Sequence, residues 1–460
     1  MKQILLVVFL LFTSTLFAQK NDSTVIREIF DEVLVNGKSH SNLRVLCKSV
    51  GARLSGSPEA AKAVEWGEKV LKQYGFDKVY LQEIMVPHWT RGSKEGAMFM
   101  TPDGKAYTPS VCALGGSVGT NGRMEAEVIE VHNFEELDLL GKEKIEGKFI
   151  FYNRPMEPRN IDTFESYGGC VDQRYAGASK ASKYGAVGVL VRSMSLHTDR
   201  HPHTGSMGYE DGIKKIPSAA IGTQDADYLS GLLKRNKSVK VSLNMDCKTL
   251  PDVKSYNVIA EIKGSKYPDK IIAVGGHLDS WDLGEGAHDD GAGVVQSIEV
   301  LRTFKALGIR PQHTIRCILF MNEENGNNGG KTYAKVVGEK KEVHVAALES
   351  DRGGFVPRGF SIDGDGATIK EIQKWKDLLK PYNLHIFVKG YGGVDINPLK
   401  GVDKEITLIG LLPDSQRYFD FHHAPTDVFE NVNKRELELG AGSMTALIYL
   451  IDKYGLGKSF

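Results

Sequence analysis

The segment IIAVGGHLDSWDLGEGAHDDGAGVVQSIEVLRTFKAL, residues 271–307, passes from an apolar run through a loop of acids and glycines into a helical pattern. Ile271 to Val274 is unbroken by polar residues, as expected of a strand buried on both faces. Val294, Val295, Ile298, Leu301 and Phe304 recur at helical spacing. Strand, loop and helix in that order form the repeating unit of a sheet whose crossovers are helices.

The same alternation extends to either side. NVIAEI (257–262), TIRCILFMNEE (314–324), VHVAALESD (343–351), HIFVKG (385–390) and ITLIGLL (406–412) read as strands. IKEIQKWKDLLKPY (369–382) and residues 434–454 read as helices. The expected fold class is α/β, a mostly parallel mixed sheet covered by helices. Upstream, residues 24–36 and 58–74 have helical spacing, with Pro58 suited to a first turn and Gly75 to a stop, and Lys78–Val86 alternates like a strand.

Residues 120–250 differ in texture. Short apolar runs at 126–131, 148–153, 187–192 and 240–245 are separated by turn residues, with one helical stretch, DQRYAGASKASKYGA (172–186). They predict a β-rich insert. The domain reading is a leader at 1–18, an N-terminal part of the main domain at 19–119, the insert at 120–250 and the main domain again at 251–460. A short propeptide is left open between Gln19 and about residue 40. The leader reading rests on Lys2, the apolar run Ile4–Phe12 and the small residues before Gln19; the run is shorter than the roughly 20 residues that span a bilayer. The mature chain is therefore expected without a membrane anchor and in a secreted or periplasmic location.

Lys and Arg number 58, and Asp and Glu also 58, so there is no positive field to favour a nucleic-acid partner. Five cysteines without a CxxC pair exclude a zinc ribbon and a disulfide scaffold, leaving one or two structural disulfides open.

The chemistry gathers at strand ends. His277 and Asp279 close one strand, Asp289 and Asp290 lie in its loop, Glu323 and Glu324 end the next strand and Asp351 the one after. His422 and His423 come after the turn at Leu412–Ser415. In such sheets, active residues collect at the carboxyl ends of the strands. Singly each has an ordinary reading: Asp290 as a helix cap, Asp351 as a partner for Arg352, His197, His201 and His203 in the insert as an exposed polar loop. Jointly they form a His/carboxylate set too large for one tetrahedral zinc. The set suits two metals, about 3.5–4 Å apart, sharing a carboxylate.

GGHLDSWDLGEGAHDDGAG (275–293), MNEENGNNGG (321–330), ALESDRGG (347–354) and FDFHHAPTDVF (419–429) resemble the metal-site motifs of the co-catalytic dinuclear zinc exopeptidases. That family includes bacterial leucyl aminopeptidases, glutamate carboxypeptidase II and the non-catalytic transferrin receptor. GARLSGSPE (51–59), VPHWTRG (86–92), PHTG (202–205) and GSKYPDK (264–270) resemble one member outside the metal site too. The resemblance implies the zinc exopeptidase fold, two zinc ions per chain, a protease-associated-like insert over the cleft, peptide substrates and a homodimer. It implies His277 and Asp351 on one zinc, Glu324 and His423 on the other, and Asp289 between them. Glu323 matches the general base, and Asp279 the carboxylate that holds the His277 ring. His423 is preferred to His422 because the family spacing puts an acid four residues later, here Asp427. The implied activity is hydrolysis of dipeptides or short peptides with free termini. The alternative is a broader zinc aminopeptidase, and a remoter one a receptor-like binding protein, which would require lost ligands.

Overall fold

The computed structural model describes residues 21–236 and 238–457. The leader at 1–18 lies outside them. The main sheet has eight strands, in spatial order Lys78–Thr90, Lys248–Ile262, His313–Phe320, Tyr267–His277, Val343–Glu349, Thr407–Pro413, Pro357–Asp363 and Ile386–Lys389. The central four, from His313–Phe320 to Thr407–Pro413, run parallel, and their carboxyl ends share one edge. The outer pairings are antiparallel except Pro357–Asp363 with Ile386–Lys389, so the sheet is mixed.

Every residue of His313–Phe320 is buried, including Arg316, which is paired with Glu261 and Glu342. One face of the sheet packs on Ala292–Ala306 and Lys434–Tyr454; the other packs on Asn328–Lys340. Ala292 to Phe304 is buried without interruption, because this helix lies between the sheet and the outer helices. The outermost, Asp22–Asn36, buries Ile26, Ile29 and Phe30 in the same core. Removing this helix would leave that core open. Pro58–Tyr74 starts on a Ser57 side chain that accepts from Ala60 N–H and stops at Gly75 in the left-handed region (φ 65°).

Lys78–Thr90 and Lys248–Ile262 form a long antiparallel ribbon, Lys78 opposite Glu261 and Thr90 opposite Lys248. The ribbon leaves the main sheet and carries a second one at its far end. That sheet runs Ala106–Tyr107, Glu95–Met100, Lys240–Met245, Met124–Val131, Phe149–Tyr152, Gly188–Arg192, Ser218–Ile221 and Val111–Ala113. A boundary at residue 120 therefore falls inside the insert. Glu95–Met100 pairs with Lys240–Met245, and Val111–Ala113 with Ser218–Ile221, so strands before 120 complete its edges.

Three further elements differ from expectation. Ser218–Ile221 and Pro357–Asp363 are strands whose small or mixed side chains give no apolar run. The helical reading of 369–382 breaks into Gly366–Gln373, Lys376–Leu379 and a 3-10 turn at Lys380–Tyr382, where Pro381 offers no N–H to continue the ladder. All five cysteines are free and buried. No helix among the described residues is long and apolar enough to cross a membrane.

Candidate metal centre and its cleft

The four parallel strands deliver their end residues to one point. His277 is the last residue of its strand and is 1% exposed. Its Nε2 lies 3.2 Å from Asp289 Oδ1 and 3.3 Å from Asp351 Oδ1. On the far side, His423 Nε2 lies 3.2 Å from Asp289 Oδ2 and 3.2 Å from Glu324 Oε2. Asp289 thus turns one oxygen to each imidazole. Glu323 stands beside them, its Oε2 4.0 Å from His277 Nε2.

These atoms converge without bonding one another well. Asp289 Oδ2 is buried and has no hydrogen-bond partner among the described residues, although His423 Nε2 is so near. A buried carboxylate oxygen left unpaired is costly unless something else fills the space. Ligand atoms of His277, Asp289 and Glu324 lie within 4.8 Å of one another. Asp289, Glu323, Glu324 and Asp351 would bring four negative charges when ionised, which two divalent cations balance. The residues fit a pair of metal ions.

Electrostatics agree. Burial, then the charge of Asp289, pushes the Glu324 carboxyl up to about 7. For Asp289, burial opposes ionisation, but the imidazoles of His277 and His423 outweigh it and hold the carboxyl well below the usual range. Burial and the neighbouring Asp351 and Glu324 raise Glu323 well above its usual range, although the nearby His277 opposes them.

Each ring is oriented by an acceptor behind it. His277 Nδ1–H donates to the main-chain carbonyl of Asp279 at 3.0 Å, leaving Nε2 free to ligate. The resemblance puts the Asp279 carboxylate in that role, but the carboxylate stands 3.9 Å away. It accepts instead from the N–H groups of Asn322 (2.7 Å), Glu323 (3.1 Å) and Glu324 (3.3 Å), and so fixes the turn that carries both glutamates. Asp427 does the same for the opposite loop, accepting from His288 N–H at 2.7 Å and Asp289 N–H at 3.1 Å. Asp290 caps the 292–306 helix through Gly293 N–H at 2.9 Å and also accepts from His277 N–H at 3.0 Å. His422 stacks on His423 with ring centroids 3.5 Å apart, its Nε2 3.8 Å from Asp289. His197 and His201 are exposed, whereas His203 is buried against the His422 carbonyl.

A cleft of about 760 Å³ opens over the centre between the two sheets. The main domain contributes acids to its wall, including Glu323, Asp351 and Glu349. The insert contributes Phe164, Tyr167, Arg174 and Tyr175. Sequence reasoning missed three cleft-region residues, Arg174, Glu349 and Asp395. Arg174 is 6% exposed, yet its partners are neutral: it donates to Tyr167 Oη at 2.7 Å, and its Nε has no partner among the described residues. Glu349 accepts from Val394 N–H (2.9 Å) and Ile396 N–H (3.0 Å); burial pushes it up to about 8. Asp395 is fully buried, with both oxygens unpartnered among the described residues. An inward-facing acid in the otherwise apolar VHVAALE strand is the one available hint, and it points only to Glu349.

The model of the family described as peptidase family M28 matches residues 257–446. Carboxypeptidase Q of Bos taurus is 35% identical over 415 residues, covering 90% of this chain and 85% of that protein. The crystal structure of a peptidase M28 precursor from Shewanella amazonensis SB2B superposes with a TM-score of 0.89 at 33% identity, covering 94% of this chain and 96% of that one. A zinc aminopeptidase from Bacillus subtilis, at 18% identity and a TM-score of 0.64, covers 90% of this chain and 94% of its own and shares the fold.

Proposed function

The chain belongs to peptidase family M28 and is a carboxypeptidase Q-like metallopeptidase, and on that premise we propose that it is a dinuclear zinc exopeptidase of dipeptides and short peptides with free termini. The observation that carries the reading is Asp289, buried, with one carboxylate oxygen toward each imidazole. His277 and Asp351 would hold one zinc, Glu324 and His423 the other, with Asp289 shared. Zinc suits histidine and carboxylate donors where no thiolate is offered, and the Bacillus subtilis protein of this fold is described as a zinc aminopeptidase. When bound, such a pair supplies a Lewis acid and makes water nucleophilic near neutral pH.

Glu323 is the residue left for proton transfer. It stands beside His277, is held by the Asp279 clamp, and is not needed as a ligand. It takes the proton of the attacking water and returns it to the leaving amine. The insert covers the cleft and excludes folded proteins and internal bonds. Arg174, charged and without an acidic partner, supports recognition of a free substrate carboxylate. The second reading is a broader aminopeptidase, the activity printed for the Bacillus subtilis protein of this fold.

Dipeptides, aminoacyl amides and end-blocked peptides, each assayed with and without chelator, separate these readings. Dipeptides should be cut well, acetylated peptides poorly, and chelator should stop both. Amides lack the carboxylate that Arg174 would bind and should be the weaker substrates. Efficient cleavage of an end-blocked peptide at an internal bond would reject the exopeptidase reading. The same reading makes the protein exported through its leader and homodimeric; the mass of the mature chain and light scattering check both.

A further inference from the structure

The two imidazoles at the centre are oriented in different ways. His277 finds its acceptor two residues along its own chain, at the Asp279 carbonyl. His423 has a positive φ of 61°, and the carbonyl facing its Nδ1 is that of Thr204, 219 residues away in the insert. We propose that the inserted sheet is a working part of the metal centre: the Thr204 carbonyl fixes the proton of His423 on Nδ1 and thereby aims Nε2 at the metal. This rests on the zinc reading above.

The geometry is a clasp. His203 Nδ1–H donates to the His422 carbonyl at 2.8 Å, and Thr204 N–H donates to the His423 carbonyl at 3.0 Å. The third contact returns, His423 Nδ1–H to the Thr204 carbonyl at 3.3 Å. Arg174 Nη1 lies 3.4 Å from the same Nδ1 and 3.5 Å from the same carbonyl. An arginine can only donate, and a protonated Nδ1 cannot accept, so with Nε2 engaged both donors turn to the Thr204 oxygen. Imidazole ligands generally need such an acceptor to hold tautomer and ring plane.

The clasp is itself anchored. Thr204 Oγ1–H donates to the Ala113 carbonyl at 2.9 Å and accepts from Arg91 Nη2 at 3.2 Å. Arg91 also donates to both oxygens of Asp282, at 2.9 and 2.6 Å, in the loop between His277 and Asp289. One guanidinium thus ties the insert to the loop that delivers the shared carboxylate. Gly205 (φ 133°) lets the chain pass close beneath the ring: a Cβ there would lie 2.4 Å from Arg174 Nη1 and 2.6 Å from His423 Nδ1.

The test uses zinc-loaded Thr204→Val, Gly205→Ala and Thr204→Ser beside wild type. The readouts are zinc equivalents retained over time in chelator, by elemental analysis, and the melting temperature. Thr204→Val keeps shape but frees the carbonyl from its anchors; Gly205→Ala displaces it. In both, one of two zinc equivalents should leave about 10–100 times faster, the range for loss of an orienting partner. The other should leave at the wild-type rate, and Thr204→Ser should behave as wild type. If Gly205→Ala does not fold, the Thr204 pair decides. Wild-type release from the variants, or equal acceleration of both equivalents with a fallen melting temperature, overturns the clasp. A wild-type protein that binds no zinc overturns the zinc reading and the clasp together.

Discussion

The His277 and His423 halves of the centre look symmetric about Asp289 but are built differently. The His277 half is local. Its ligand ends a strand, its acceptor is two residues on, and Asp351 lies two residues past the end of the neighbouring parallel strand. The His423 half is assembled from three distant places: the turn held by Asp279, the loop after Thr407–Pro413, and the insert's His203–Gly205 segment. A half fixed by one stretch of sheet inherits the rigidity of buried ladder hydrogen bonds. A half fixed across two sheets depends on their docking. The first should hold its ion whenever the main sheet is folded; the second should report on the insert.

The largest expected effect separates catalysis from ligation within adjacent acids. Glu323→Gln should lower kcat by about 10²–10⁴ while both zinc equivalents remain, because a positioned base is lost and no ligand is. Glu324→Gln should lower activity and release one equivalent together. If Glu323→Gln sheds zinc as Glu324→Gln does, the division of roles is wrong.

A smaller effect tests where Asp279 acts. Asp279→Asn places an N–H₂ or a single oxygen against three main-chain donors and should loosen the Glu323–Glu324 turn. Zinc affinity at the His423 half should fall about 10–100-fold, with the His277 half nearly unchanged, since a carbonyl serves that ring. Preferential loss at the His277 half, measured by zinc titration against a competing chelator, would return the carboxylate to the role expected from sequence.

Arg174→Gln should raise KM for dipeptides by roughly tenfold or more, as expected when a charge-assisted hydrogen bond worth about 1.5–3 kcal/mol is removed. Aminoacyl amides should change much less. Equal losses on both substrates would assign Arg174 to structure alone.

The smallest effect on activity at neutral pH comes from a histidine remote from both halves. Burial, then the Arg316 charge, pushes His344 down to about 4, and its Nε2 accepts from Tyr333 Oη at 2.7 Å. The folded state therefore binds fewer protons than the unfolded chain between pH 6.5 and 4. The stability this neutral ring contributes is complete above pH 6.5 and lost as pH falls toward 4, by about 3 kcal/mol. His344→Gln should flatten that acid limb in thermal melts from pH 7 to 4. An unchanged slope would mean that the ring is not held neutral.

Most of the His277 half is legible because its chemistry comes directly after apolar runs. Ile271–Val274 and Val345–Leu348 announce buried strands, and parallel strands bring the residues at their carboxyl ends to one edge. Glu323 and Glu324 are legible for the same reason, although the strand stops at Phe320 and a turn carries the acids. Arg174 and Thr204 are not. Arg174 lies in a run of small and polar residues with the look of an ordinary surface helix, and Thr204 acts through a carbonyl that every residue possesses. The insert's start is hidden because Glu95–Met100 and Val111–Ala113 join its sheet only by pairing with segments more than a hundred residues later.

The sequence by itself determined the α/β class and the placement of His277, Asp289, Glu323, Glu324, Asp351 and His423 at or after strand ends; the preference for His423 over its neighbour came from the family resemblance. These depend on hydrophobic period, strand direction and motif spacing, all of which are local. Only the tertiary structure decided that the Asp279 carbonyl serves His277 while its carboxylate clamps a turn. It alone decided that Arg174 faces the cleft without an acid, and that the insert reaches His423. The first depends on how neighbouring strand ends of one sheet meet, the other two on which groups meet once two sheets dock. Hydrogen bonds of about 3 Å tolerate displacements of only a few tenths of an ångström, a precision no one-dimensional pattern encodes.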